Sequence, residues 1–209
     1  MSLGFLHWVA SHPSVYDLVQ KLSGRERNLG RLKAFLSDEG GQVVLDVGAG
    51  TGACARILPP GATYLWLDND RQKLRGFRAK MPGALAVLGD ATCIALKNKS
   101  VDVVLCVGVS HHLADAELDD LFQEAARVCR KKLVFLDPVE KLDSRVSNLL
   151  WKYDRGSHPR RKDAICSIME KWFYIQHREE YAVYHHYVLA VGRPKVGPLI
   201  SEREKEGAR

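Results

Sequence analysis

Five short apolar runs rich in β-branched residues recur along the first two thirds of the chain, at residues 42–47, 63–67, 84–88, 101–107 and 132–136. Runs this short and this uniformly apolar suit strands buried on both faces of a parallel sheet. Helical spacing fills the gaps between them. Residues 70–80 form one such segment, ended by Met81-Pro82-Gly83. Residues 114–129 form another, with Leu118, Leu121, Phe122, Ala125 and Val128 on a single apolar stripe. Parallel strands joined through helices need right-handed crossovers, so the pattern predicts an α/β fold with a doubly wound sheet.

The remaining segments fit around that sheet. Ser14, followed by Val15, Leu18, Val19 and Leu22 at helical spacing, starts a first helix, and Leu29, Leu32, Phe35 and Leu36 mark a second that stops at Gly40-Gly41. After Asp137-Pro138 the alternation breaks. A helix carrying Leu142, Val146, Leu149 and Leu150 leads into the basic loop 154–162, and residues 163–172 form a further helix. Segments 173–183 and 184–191 then follow with no room for a helix between them, which predicts antiparallel neighbours. A length of 209 residues allows one domain with modest additions. Residues 1–194 are assigned to it, with 195–209 expected to fray. The five cysteines, Cys54, Cys93, Cys106, Cys129 and Cys166, show no paired spacing and read as reduced, buried thiols. No run has the length of a membrane span, and the opening residues lack the pattern of a secretion signal, so the expected location is cytoplasmic.

The chemistry should lie at residues 45–52, Leu45-Asp46-Val47-Gly48-Ala49-Gly50-Thr51-Gly52, where the chain leaves a strand without side-chain bulk at three positions. Glycines there let a ligand lie against the backbone. This stretch resembles the cofactor-binding motif of the class I S-adenosylmethionine-dependent methyltransferases, and the wider match covers residues 43–193. The resemblance implies a Rossmann-like methyltransferase fold: seven strands, mostly parallel, with an antiparallel last strand. It further implies that Asp68, at the end of Leu65-Trp66-Leu67-Asp68, takes the ribose hydroxyls of the cofactor, with Asn69 beside it. Asp90 would accept the adenine amino group and Ala91 would approach the ring by its backbone. Val107 begins the segment beneath the methionine moiety, and Asp46 contacts the cofactor ammonium or orients the loop. Gly48, Ala49, Gly50 and Gly52 complete the cofactor set. Asp70 reads as the N-cap of the next helix.

Gly48-x-Gly50-x-x-Ala53 also satisfies the dinucleotide fingerprint, so an NAD(P)-binding oxidoreductase is the rival reading. Asp46, the Gly89-Asp90-Ala91 station and the helix-free closing strands favour the methyltransferase. Methyl transfer from a sulfonium mainly requires alignment of the nucleophile, and a base helps only some acceptors. His111 and His112 stand where the resemblance puts the acceptor, as candidate catalytic residues. Residues 1–40, a helical lid, and 140–172, an insert, would shape the acceptor side. The acceptor is expected to be a small molecule methylated on oxygen or nitrogen, possible forms being anionic or sugar-like, near Arg155, Arg160 and Arg161. RNA is the alternative acceptor, less favoured because the net charge of +6 is spread thinly and no RNA-binding module is visible. No metal site is expected, since the histidines and carboxylates do not fall at ligand spacing.

Overall fold

The computed structural model describes residues 24–36, 41–140, 158–183 and 185–195. Seven strands form one sheet: β1 (Val43–Val47), β2 (Thr63–Asp68), β3 (Leu85–Leu88), β4 (Val101–Val107), β5 (Cys129–Val139), β6 (Phe173–Ala182) and β7 (His186–Pro194). Their order is β3-β2-β1-β4-β5-β7-β6. The first five run parallel, and β7 lies antiparallel between β5 and β6. This is the α/β sheet the alternating pattern predicts, with the closing pair reversed. The α-helices among the described residues are α1 (Arg25–Lys33), α2 (Arg71–Lys80), α3 (Asp115–Val128) and α4 (Lys162–Trp172), with 3-10 turns at Ala53–Ile57 and Ser110–His112.

Strand alternation sorts the core onto two faces. Leu45, Val47, Val104, Cys106, Leu133 and Phe135 pack under Leu118, Leu121, Phe122 and Ala125 of α3 and Ile165 and Met169 of α4. Each fully buried Leu or Phe there contributes about 1.5–3 kcal/mol, so the predicted α3 stripe is what fixes that helix on the sheet. Val44, Val103, Leu105, Val134 and Leu136 face the other way, onto Leu29, Leu32 and Leu36. The start of α3 is held by Glu117, whose carboxylate accepts the Ala114 N–H at 2.7 Å. Asp70 caps α2 as expected, its Oδ1 accepting from the N–H groups of Gln72 at 2.7 Å and Lys73 at 3.2 Å. Only Phe77 of α2 is buried. The arginines and lysines of that helix form an outer, solvated face.

Three expectations change. β5 does not stop at residue 136: it continues through Asp137 and Pro138 because β7 pairs with it as far as Val139↔His186. By then the β4 partner has ended, at Leu136, so Pro138 sits where β5 is paired on one side only. β7 likewise runs to Pro194 rather than 191, since Phe173 of β6 pairs with it there. Among the cysteines, Cys93 is exposed, in the turn after β3, while the other four are buried and none is disulfide-bonded. The helices predicted after Ser14 and around residues 142–150, the loop residues 154–157 and the tail beyond 195 lie outside the described residues.

Candidate active site

At the carboxyl end of β1 the backbone turns three times through the left-handed region, at Gly48 (φ 66°), Gly50 (φ 55°) and Gly52 (φ 75°). The outer two glycines are required by packing as well. A Cβ on Gly48 would lie 2.4 Å from Val109 Cγ2, and one on Gly52 would lie 2.5 Å from the Phe77 ring. Gly50 differs: among the described residues the nearest atom to a Cβ there is the Gly48 carbonyl oxygen at 3.9 Å, so none of them fills the space above it.

β2 holds this loop by one face. Tyr64, Trp66 and Asp68 alternate along the strand and so point the same way. Trp66 Nε1 donates to the Gly50 carbonyl at 2.9 Å. Asp68 Oδ2 accepts the Gly50 N–H at 2.9 Å, and its Oδ1 accepts the Asp70 N–H at 3.0 Å. Lys73 Nζ stands 3.5 Å from the same carboxylate. A carboxylate has about four lone-pair sites, so Asp68 can accept two further hydrogen bonds while keeping the loop in place only if one of them takes the site that Lys73 touches at 3.5 Å. Tyr64 donates its hydroxyl to Asp46 Oδ2 at 2.6 Å. Burial pushes the Asp46 carboxyl up to about 7, against the opposing hydrogen bonds from Tyr64 and Cys54, and the nearby Asp68 charge adds to the rise. Burial also raises the Tyr64 hydroxyl and the Cys54 thiol, with the Asp46 charge second in each.

Beyond β4 the chain turns at Gly108 (φ 68°) into a single helical turn, Ser110–His112. Asp137, fully buried on β5, organises it. Its Oδ2 accepts the N–H groups of Val109 and Ser110, both at 2.8 Å, and its Oδ1 meets His111 Nδ1 at 2.6 Å. His111 is buried, and its Cε1 comes within 3.9 Å of where a Gly108 Cβ would stand. The imidazole therefore lies beside the end of β4, two residues after the Val109 that packs on Gly48. His112 is exposed, its ring centroid 4.1 Å from that of His111.

From the other side, residues 158–160 close on this turn. The His158 N–H donates to the His111 carbonyl at 3.0 Å. Arg160, buried, donates to the carbonyls of Ser110 at 2.7 Å, Leu113 at 2.5 Å and His158 at 3.3 Å, and pairs with Asp115 at 2.7 Å. Arg160, expected beside an acceptor anion, has its donors on Asp115 and on backbone carbonyls, which a buried turn cannot leave unpaired. Arg161 is exposed, and Arg155 lies outside the described residues.

Residues 44–132 match the family model of the methyltransferase domain. Those residues carry a methyltransferase domain, and the fold around them is that of the class I S-adenosylmethionine-dependent methyltransferases. The chain is 31% identical over 168 residues to the phthiotriol/phenolphthiotriol dimycocerosates methyltransferase of Mycobacterium tuberculosis, a match covering 76% of this chain and 60% of that one. It is 30% identical over 112 residues to an uncharacterized methyltransferase of Geobacillus thermodenitrificans, covering 51% of this chain and 52% of the relative. The matches thus span between half and two thirds of the length of these curated relatives. Among solved structures its fold is similar to that of the magnesium protoporphyrin IX methyltransferase of Synechocystis PCC 6803, with a TM-score of 0.71 at 18% identity, covering 93% of this chain and 95% of that one.

Within the methyltransferase, Asp46, Gly48, Ala49, Gly50, Gly52, Asp68 and Asn69 come together around one loop. Val107 ends the adjacent strand, since β1 pairs with β4 up to Val47↔Cys106. Asp90 and Ala91 follow β3, where Asp90 Oδ1 accepts from the Thr92 N–H and hydroxyl at 2.8 Å each. Tyr64, Trp66 and Asp137 are additions that the sequence reading missed. Tyr64 and Trp66 carry a signal in hindsight, a polar-edged aromatic at alternate positions leading to Asp68. Asp137 carries none, because its partners lie on another strand's end. Among the described residues no group of three or more His, Cys, Asp or Glu could hold a metal ion, and no helix is long and apolar enough to cross a membrane.

Proposed function

We propose that this chain transfers the methyl group of S-adenosylmethionine to an oxygen or nitrogen atom of a small molecule, leaving S-adenosylhomocysteine. The observation that carries the reading is the glycine loop clamped between Trp66 and Asp68, with no described residue filling the space above Gly50. Asp68 keeps acceptor capacity for the two ribose hydroxyls, and one carboxylate suits them because charge-assisted hydrogen bonds are short and strong. Asp46 would meet the cofactor ammonium or orient the loop. The arrival of that cation would favour the ionised carboxylate, offsetting the burial that raises it. Asp90 and Ala91 would border the adenine, and Val107 the methionine moiety. The cofactor brings an already activated electrophile, so the work left to these residues is alignment and exclusion of water. Residues 1–40 and the insert 140–172 would enclose the acceptor.

Calorimetry with S-adenosylhomocysteine and, separately, with NADH tests the reading. Binding of S-adenosylhomocysteine alone is expected. Asp68→Ala should weaken it by about 1.5–3 kcal/mol through loss of hydrogen bonds to a charged group. Tight binding of NADH alone, or wild-type affinity in the variant, would refute the assignment.

A further inference from the structure

The net charge of +6 is concentrated rather than spread thinly. Residues 71–100 hold seven Lys and Arg against Asp90 alone, and the remaining 24 Lys and Arg are matched by 24 Asp and Glu. That stretch consists of α2, β3 and the loop leading to β4, and β3 is the outer strand of the sheet. Lys99 is spent internally, on the carbonyls of Ala126 and Cys129, while the five basic residues of α2 are all exposed. We propose that the β3 edge and the arginine face of α2 form one docking surface, whose occupant is a partner protein that adds an acidic, extended segment to the sheet as a further strand.

Arg71, Arg75 and Arg78 recur at i, i+4 and i+7 and so share one face of α2. Lys73 stands on the opposite flank, where its Nζ approaches the Asp68 Oδ2 that also holds the Gly50 N–H. The Gly50 loop follows β1, so the lysine flank is turned toward β1 and the arginine face toward β3. Between the two, Phe77 packs on Trp66 and Tyr64 and marks the side that rests on the sheet. No acidic residue lies on the helix.

β3 itself is open. Leu85 is 55% exposed and Leu88 38%. Leu88 pairs with Asp68 and shares its face, the one that α2 covers, whereas Leu85 pairs with Leu65 and faces the other way. The Gly89 N–H donates to the Asp68 carbonyl at 3.1 Å. Backbone groups alternate along a strand, so Ala86 and Leu88 turn their N–H and C=O outward, where no strand follows β3 among the described residues. The opposite edge is guarded: β6 carries Arg178, Glu179 and Glu180, with a register shift between Ile175 and His177. Charges and irregularities of that kind deter strand addition. The Leu-Ala-Val-Leu of β3 has neither.

Three demands select the occupant. An added strand has side chains on both faces, so it covers Leu85 and Leu88 together while pairing with the outward amides. Acidic side chains on it would answer the arginine face. A second copy of this chain, paired antiparallel through β3, would instead set two arginine faces side by side. A lipid surface would leave the outward N–H and C=O groups without partners. Nucleic acid would meet the charge but offers no strand to those groups.

The probe is a blocked peptide of about ten alternating Glu and Val residues, long enough to span β3. A peptide of alternating Glu and Pro carries the same charge without the N–H groups a strand needs. Amide exchange of the whole protein, followed by NMR, is expected to slow at least about tenfold at Ala86 and Leu88 when the Glu–Val peptide saturates it. Affinity by calorimetry should fall about tenfold or more in the combined Arg71→Glu, Arg75→Glu, Arg78→Glu variant, and as much in Ala86→Pro, which removes one outward donor. The arginine variant changes exposed side chains only and decides the matter if Ala86→Pro does not fold. No slowing at Ala86 and Leu88, wild-type affinity in the arginine variant, or equal binding of the Glu–Pro peptide overturns the proposal. A photo-crosslinker placed at Leu85 then reads the occupant in the cells that make the protein. The expected adduct, mapped by mass spectrometry, is an acidic segment of a second protein, and it disappears in the arginine variant. An adduct with another copy of this chain, with lipid or with nucleic acid, or no adduct, overturns the choice of partner.

Discussion

Alanine at Gly50 and at Gly52 should separate stability from ligand binding within one loop. Both residues have positive φ, 55° and 75°, so each substitution costs about 1–2 kcal/mol of backbone strain. Gly52→Ala carries a second cost. Its Cβ would stand 2.5 and 2.7 Å from two carbons of the Phe77 ring. That ring is buried, stacks on Trp66 with centroids 5.6 Å apart, and tilts against Tyr64 at 5.8 Å. It cannot swing aside without disturbing β2, and overpacking of this kind costs about 1–3 kcal/mol. The total for Gly52→Ala is then about 2–5 kcal/mol, against about 1–2 kcal/mol for Gly50→Ala. The order of effects reverses for the ligand, because the methyl group at Gly50 projects to the side the cofactor would occupy, which no described residue fills. Urea denaturation supplies the stabilities, and calorimetry with S-adenosylhomocysteine the affinities. Gly50→Ala should lose at least tenfold in affinity while remaining the more stable variant. If it binds the ligand as the wild type does, the cofactor does not lie over Gly50 and the reasoning fails.

Two further predictions rest on buried polar groups. Asp46, raised from 3.8 to about 7 by burial, holds a proton in the folded state between those pH values that the unfolded chain has released. Its contribution to stability is therefore complete below pH 4 and lost as pH rises through 7, with a ceiling of about 4 kcal/mol. Asp46→Asn should flatten that part of the stability profile in urea titrations between pH 4 and 8, and an unchanged slope would dismiss the cause. Arg160→Ala should lower stability by about 2–3 kcal/mol, mostly through the carbonyls of Ser110 and Leu113 it leaves unpaired, since Asp115 is exposed and its ion pair is worth little. Arg161→Ala, on an exposed side chain, should stay within about 0.5 kcal/mol in thermal denaturation; equal losses in the two would contradict the clamp.

What could be read from the sequence was what is local to it. The run from Leu45 to Gly52 encodes strand, turn and ligand approach in consecutive residues, and Asp68 and Asp70 keep distinct roles because one ends a strand and the other starts a helix. The closing antiparallel pair was legible because residues 173–191 leave no length for a crossover. The acceptor side was less so. Asp137 looked like the end of a strand, since Pro138 follows it and the pairing that extends β5 comes from β7. Arg160 stands among Arg155, Arg161 and Lys162 and so reads as part of a basic loop facing an acceptor, yet the carbonyls it satisfies belong to a turn before α3. Contacts of that range follow from the sheet order, not from any spacing along the chain.

The place of β7 in that order sets a schedule for maturation. β1, β2 and the glycine loop are joined by short stretches of sequence, so the cofactor side can assemble as soon as that part of the chain leaves the ribosome. Asp137 pairs with Val188, so the strand that presents it to His111 keeps an open edge until β7 arrives. β6 and β7 are joined by a short connection and can pair locally in microseconds. Docking that hairpin on β5 is the slower, long-range event. A nascent chain should therefore complete the glycine loop before the turn that Asp137 holds.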